Sequence, residues 1–125
     1  MTSLKNNTKI LFTDLDGTLF DDQKQICPEN RSAIRRALLA GHKIVITTGR
    51  PLFSAKKLCE ELQLTEKGCY CICFNGAVIY DCFSQKAVYE KTLSHESVRR
   101  LMDEAQKAHL HSQTYSDTHV ISELS

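Results

Sequence analysis

Three short apolar runs, each ending in a polar residue and each separated from the next by a segment of helical periodicity, restrict this chain more than any other feature. The first is "KILFTD", Lys9 to Asp14. The second is "KIVITT", Lys43 to Thr48, and the third is "YCICF", Tyr70 to Phe74, followed by Asn75. Runs this short, rich in β-branched residues and bounded by turn signals, read as buried strands. Between the first two, Ala33, Ile34, Ala37 and Leu38 recur at helical spacing. Pro28 suits the first turn of that helix and Gly41 suits the position just past its end. Between the second and third, Leu52, Ala55, Leu58, Cys59 and Leu62 form the apolar face of a helix from about Pro51 to Leu62. Strand, helix, strand, helix, strand implies an α/β fold, a Rossmann-like parallel sheet with flanking helices.

Ligands of such sheets bind at the carboxyl ends of the strands. Asp14, Thr48 and Asn75 each fall at or just past one of those ends. Beyond Asn75 the pattern changes. "AVIYD" and "KAVYEKT", separated by "CFSQ", predict an antiparallel hairpin, and Ser94 can cap a helix with Val98, Leu101, Met102 and Ala105 on one face. The remainder reads as one or two strands, with His109 and His111 sharing a strand face. We place the boundary between a core of residues 1–80 and a second part, 81–125, which holds the hairpin linker and the start of a further α+β domain.

Composition excludes some functions. Lys plus Arg number 16 against 15 for Asp plus Glu, so no strongly basic surface marks a nucleic-acid partner. No run approaches the roughly 18 apolar residues of a membrane span. The polar start "MTSLKNNTK" carries no apolar secretory core, so the expected location is cytoplasmic. Six cysteines are present, but no C-x-x-C pair. Cys69, Cys71 and Cys73 alternate at strand spacing, which predicts reduced, buried thiols facing one way rather than a disulfide framework or a metal knuckle.

The chemistry concentrates in "DLDGTL". Asp14 and Asp16 are like charges one residue apart, and a tight turn at Gly17 can bring both to one cavity. Such proximity calls for a neutralising cation or a retained proton. Magnesium, a hard cation that takes one or two carboxylates plus phosphate oxygens, suits it. The other reading is an Asx turn that merely caps a loop.

"DLDGTL" resembles the signature of the haloacid dehalogenase superfamily of phosphohydrolases. "ITTGRP" resembles its second motif, and "FNGAVIYD" resembles a segment of its Cof-like sugar-phosphate phosphatase branch. The resemblance implies that Asp14 is the nucleophile forming an aspartyl-phosphate and a magnesium ligand. It implies that Asp16 is the general acid and base and gives its backbone carbonyl to the metal. Thr48 and Gly49 would bind the transferring phosphoryl group. Gly17, Thr18, Arg50 and Asn75 are substrate-binding candidates, Arg50 as a bidentate partner of phosphate. The expected substrate is a small phosphorylated metabolite. The branch also carries a lysine motif and an acidic G-D-x-x-N-D-like motif, and neither occurs here. The expectation is therefore the N-terminal part of such an enzyme, incomplete and inactive alone, with an unpaired first strand that favours self-association. Two other readings stand beside it: a phosphate-binding regulatory module derived from the same fold, and a receiver-like phosphoacceptor domain.

Overall fold

The computed structural model describes residues 7–122. The chain divides into two compact units after Glu90. The boundary expected after residue 80 falls inside a strand instead. The hairpin is hydrogen-bonded to the first unit's sheet, and this carries the division ten residues further along.

In the first unit, strands β1 (Ile10–Asp14), β2 (Lys43–Thr47), β3 (Tyr70–Cys73), β4 (Val78–Asp81) and β5 (Lys86–Glu90) lie side by side in chain order. The pairs β1–β2 and β2–β3 are parallel, with Asp14 beside Thr47 and Thr47 beside Ile72. The pairs β3–β4 and β4–β5 are antiparallel, so the sheet is mixed. Parallel neighbours require crossovers, and helices α1 (Pro28–Leu39) and α2 (Leu52–Glu61) supply them. Pro28 opens α1, the Cys27 sulfur accepts a hydrogen bond from Asn30 N–H, and Gly41 at φ +83° follows its end.

Side-chain parity decides where the core sits. Ile44 and Ile46 of β2, Cys69, Cys71 and Cys73 of the third strand segment, and Val78 and Tyr80 of β4 share one face. They pack with Ile34 of α1 and with Ala55, Leu58 and Cys59 of α2. Ile46 and the three alternating cysteines have no measurable exposure, so strand spacing does put these thiols on one buried face. They are free thiols. Full burial of a residue such as Ile46 contributes about 1.5–3 kcal/mol. Both crossover helices cover this face. The opposite face carries Phe12, Ile72, Ile79 and Tyr89, and β1 is the sheet edge, with Ile10, Leu11 and Phe12 more than half exposed.

The second unit contains helix α3 (His95–Lys107) and the antiparallel pair β6 (Gln113–Tyr115) and β7 (Val120–Ser122). Ser94 Oγ caps α3 by accepting from Ser97 N–H at 3.1 Å. Val98, Met102 and Ala105 are half-buried, but Leu101 is exposed. His109 lies in the turn after α3 at φ +55° and His111 in the irregular stretch before β6, so they do not share a strand face. No helix among the described residues is long and apolar enough to cross a membrane.

Candidate active site

β1 delivers Asp14 to the carboxyl edge of the sheet and stops there because the next five residues form a wide turn. Phe20 N–H closes this turn on the Leu15 carbonyl at 2.8 Å. Leu15 and Leu19 are buried and anchor it. Gly17 sits between them at φ +76°, a conformation that costs glycine little and other residues more. The Asp14 carboxylate is exposed and has no hydrogen-bond partner among the described residues.

Thr48, Gly49 and Arg50 follow β2. Thr48 is 6% exposed, a buried polar residue in an otherwise apolar core. Its Oγ1 accepts from Arg50 N–H at 3.1 Å, which leaves the hydroxyl proton free to donate. Phe74, Asn75 and Gly76 follow β3, all three at positive φ. Two backbone hydrogen bonds hold that strained loop. Phe74 N–H donates to the Arg50 carbonyl at 3.1 Å, and Asn75 N–H donates to the Thr48 carbonyl at 3.2 Å. Strain of this kind persists only where the surroundings enforce it. Asn75 lies so close to Gly49 that a Cβ built on the glycine would meet Asn75 Oδ1 at 2.9 Å. Asp14, Thr48, Gly49 and Asn75 thus border one open cavity of about 330 Å³, together with Thr47 and Ile72.

Asp16 does not border that cavity. The turn places it alongside, where Arg50 grips it with two hydrogen bonds, Nε to Oδ2 at 2.8 Å and Nη2 to Oδ1 at 2.7 Å. Lys24 Nζ adds a third, to Oδ1 at 2.8 Å. The Arg50 guanidinium, and next the Lys24 ammonium, hold the Asp16 carboxyl well below the usual carboxylate range, while Asp16 raises Arg50 in return. The bidentate fork expected for a substrate phosphate is therefore on Asp16. Arg50 also lies over the Phe20 ring, 5.0 Å from its centroid. Thr18 lies away from the site, in a separate cavity with Leu11, Ala33 and Ile44.

Lys24 and Phe20 escaped the sequence reading. Asp21 builds the turn that presents Lys24, its Oδ1 accepting from Gln23 and Gln25 N–H at 2.9 Å each. Asp21, the first acidic residue in "FDDQKQ", was the available signal for such an Asx turn.

A family model described as haloacid dehalogenase-like hydrolase matches residues 11–125. The chain belongs to this family. The 5-amino-6-(5-phospho-D-ribitylamino)uracil phosphatase YcsE of Bacillus subtilis is 37% identical over 101 residues, which are 81% of this chain and 39% of that protein. A haloacid dehalogenase-like hydrolase from Bacteroides thetaiotaomicron superposes with a TM-score of 0.83 at 33% identity. The match covers 94% of this chain and 44% of that one. The subclass IIB sugar phosphatase BT4131 superposes with a TM-score of 0.72 at 25% identity, covering 90% and 43%. The chain thus spans about two fifths of the length of these relatives, and the family match covers nearly all of it.

Proposed function

We propose that this chain is the nucleophile-bearing part of a magnesium-dependent phosphomonoesterase acting on small phosphorylated metabolites. The observation that carries the proposal is the cavity at the strand ends. It joins Asp14, a carboxylate with no hydrogen-bond partner among the described residues, to a buried hydroxyl, Thr48, whose proton is free to donate. Asp14 would attack phosphorus as the ester oxygen departs with a proton from Asp16, leaving an aspartyl-phosphate. Asp16 would then accept a proton from water attacking that phosphorus, and phosphate leaves as Asp14 is restored. Thr48 and the backbone N–H groups of this loop would hold the equatorial oxygens, where charge accumulates.

The donor set fits magnesium: an exposed carboxylate with no competing partner among the described residues, and oxygen ligands only. No cluster of three or more His, Cys, Asp or Glu side chains suited to a metal occurs among the described residues. Magnesium commonly needs fewer, completing its shell with water and substrate phosphate. Asp14 and the Asp16 backbone carbonyl would hold it, and when bound it would neutralise charge on the phosphoryl oxygens. The acidic and lysine motifs named above would be supplied by the additional length that the relatives carry. The names of the relatives, a phosphoribitylamino-uracil phosphatase and a sugar phosphatase, support a phosphorylated small molecule as substrate. We propose a cytoplasmic location with them.

The test is to sequence the reading frame past Ser125 and assay its whole product with magnesium and phosphate monoesters. Asp14→Asn should abolish turnover and leave the unfolding midpoint almost unchanged. Surviving turnover would remove Asp14 from the nucleophile's role. A second reading, a non-catalytic phosphate-binding module, is favoured by the clamp on Asp16, which holds that residue as an acceptor. Phosphate binding by the whole product without turnover would select it.

A further inference from the structure

Of the four residues expected to bind substrate, the structure commits two elsewhere. Arg50 is forked onto Asp16, and Thr18 lies in a separate cavity. Gly17 does not border the cavity at the strand ends. Asn75 alone of the four borders it, with Asp14, Thr48 and Gly49. Asp14 ends β1, Thr48 and Gly49 follow β2, and Asn75 follows β3. Three adjacent strand ends therefore each bring a polar group to one place.

The loop that carries Asn75 is held at three points. Phe74 packs against the core. Phe74 N–H and Asn75 N–H donate to the Arg50 and Thr48 carbonyls, one on either side of Gly49. Asn75 is kept at φ +55° and ψ +34°, a left-handed conformation that asparagine tolerates better than most side chains do. Its carboxamide lies over Gly49. Oδ1 is 2.9 Å, and Nδ2 3.5 Å, from where a Cβ on residue 49 would stand. Backbone conformation alone does not call for that side chain, because glycine would meet the same demand with less strain.

Asn75 is exposed, and neither end of its carboxamide has a hydrogen-bond partner among the described residues. The amide can therefore turn its NH2 group to an arriving oxygen. The Gly49 N–H also has no acceptor among the described residues, and the Thr48 hydroxyl proton is free. None of these donors is spent on Asp14. Donors from two loops, beside one carboxylate, suit an anion that offers several oxygens.

We propose that Asn75 is a phosphoryl-binding residue, its side-chain amide donating to an oxygen of the group that Thr48 and Gly49 hold against Asp14. The inference rests on reading this cavity as the phosphoryl site. A carboxamide serves here where a carboxylate would not. It donates to the anion, and being neutral it adds no repulsion beside Asp14.

The test uses the 125-residue chain labelled with nitrogen-15, inorganic phosphate as the probe, and two-dimensional NMR. The Asn75 NH2 pair, assigned through its own β-protons, should move with the Thr48 and Gly49 amides along one saturation curve. Asn75→Gly keeps the left-handed backbone and removes the amide. Its unfolding midpoint should match that of the unmutated chain, while phosphate binds roughly tenfold or more weakly, the usual effect of deleting a hydrogen bond to a charged group. Asn75→Asp, of equal size but charged, should bind phosphate more weakly still at pH 7. A residue kept only for its backbone conformation would leave phosphate binding unchanged in Asn75→Gly, and that result overturns the proposal. So does an Asn75 NH2 pair that stays still while Thr48 and Gly49 move, which leaves the phosphate cavity standing. If none of the three moves, the proposal falls as well, and the phosphatase reading is decided separately by turnover of the whole product. The NH2 measurement needs no variant, so a variant that fails to fold does not alter the outcome.

Discussion

The pairing of Arg50 with Asp16 yields a number that can be measured without any substrate. Two short charge-assisted hydrogen bonds in fork geometry join them, but the side chains are 31% and 42% exposed. Charges about 4 Å apart interact by about 1 kcal/mol in water and about 4 kcal/mol at an effective dielectric of 20. Pairs this open measure about 0.2–1 kcal/mol. The bidentate geometry puts this pair at the upper end, so we expect a coupling of about 1 kcal/mol. A double-mutant cycle of Arg50→Ala and Asp16→Asn should be run by urea unfolding of the chain in a Lys24→Ala background, since Lys24 would otherwise take over part of the interaction. With a denaturant slope of about 1–3 kcal/mol per molar, the midpoints of the single variants should fall by roughly 0.3–1 M. The pH dependence has a definite sign. Asp16 has a lower pKa folded than unfolded, so its contribution is complete above the unfolded value near 3.9 and is lost as pH falls through the depressed folded value. The coupling should be equal at pH 7 and pH 5, and in 1 M salt it should shrink, where the screening length is about 3 Å. A coupling below about 0.2 kcal/mol at low salt, or one that disappears between pH 7 and pH 5, would refute the reasoning.

Gly49→Ala should separate stability from function. Its Cβ displaces only the tip of the Asn75 side chain, so unfolding free energy should fall by no more than about 1.5 kcal/mol, while turnover by the whole product falls roughly 10- to 100-fold because the phosphate loop shifts. Thr48→Val removes the free hydroxyl proton, and turnover there should drop by about two orders of magnitude, the usual effect of deleting a donor to developing oxyanion charge; an unchanged rate would take Thr48 out of the site. Phe12→Lys on the exposed edge strand should shift the chain toward monomer in sedimentation velocity, with the unmutated chain self-associating; a monomeric unmutated chain at all concentrations would oppose the edge-strand expectation.

How far the sequence could be read depended on the range of the interactions involved. β1, β2 and β3 and both crossover helices follow from local periodicity, and their bounds differ from expectation by a residue or so. Asp14, Thr48 and Asn75 were placed at strand ends by the same patterning, Gly49 came from the family resemblance, and the structure brings those four to one cavity. Long-range partnerships were less visible. Nothing in "TGRP" says that the Arg50 side chain turns back thirty-four residues to Asp16, nor does "DDQKQ" say that Lys24 meets it there. Thr18 lies next to Gly17 in sequence, but the wide turn sends it to another cavity. The unit boundary was missed for a related reason. A hairpin can extend the preceding sheet or begin the next domain, and only the β3–β4 register from Tyr70–Asp81 to Cys73–Val78 decides between them.

Asp16 held by two cations accepts hydrogen bonds, whereas the proposed reaction needs it to give a proton. The two requirements are compatible if the arriving substrate competes for the same cations. A phosphoryl dianion offers Arg50 a fork-shaped partner of higher charge than a carboxylate. The Arg50 main chain is fixed, with its N–H on Thr48 Oγ1 and its carbonyl accepting from Phe74 N–H, so only the guanidinium has to swing. Lys24, 63% exposed at the tip of its turn, can yield at small cost. On this view the clamp is a means of selection. A neutral ligand in the cavity leaves Asp16 a carboxylate and the site idle, and a phosphate ester frees it to take up the proton it must later donate.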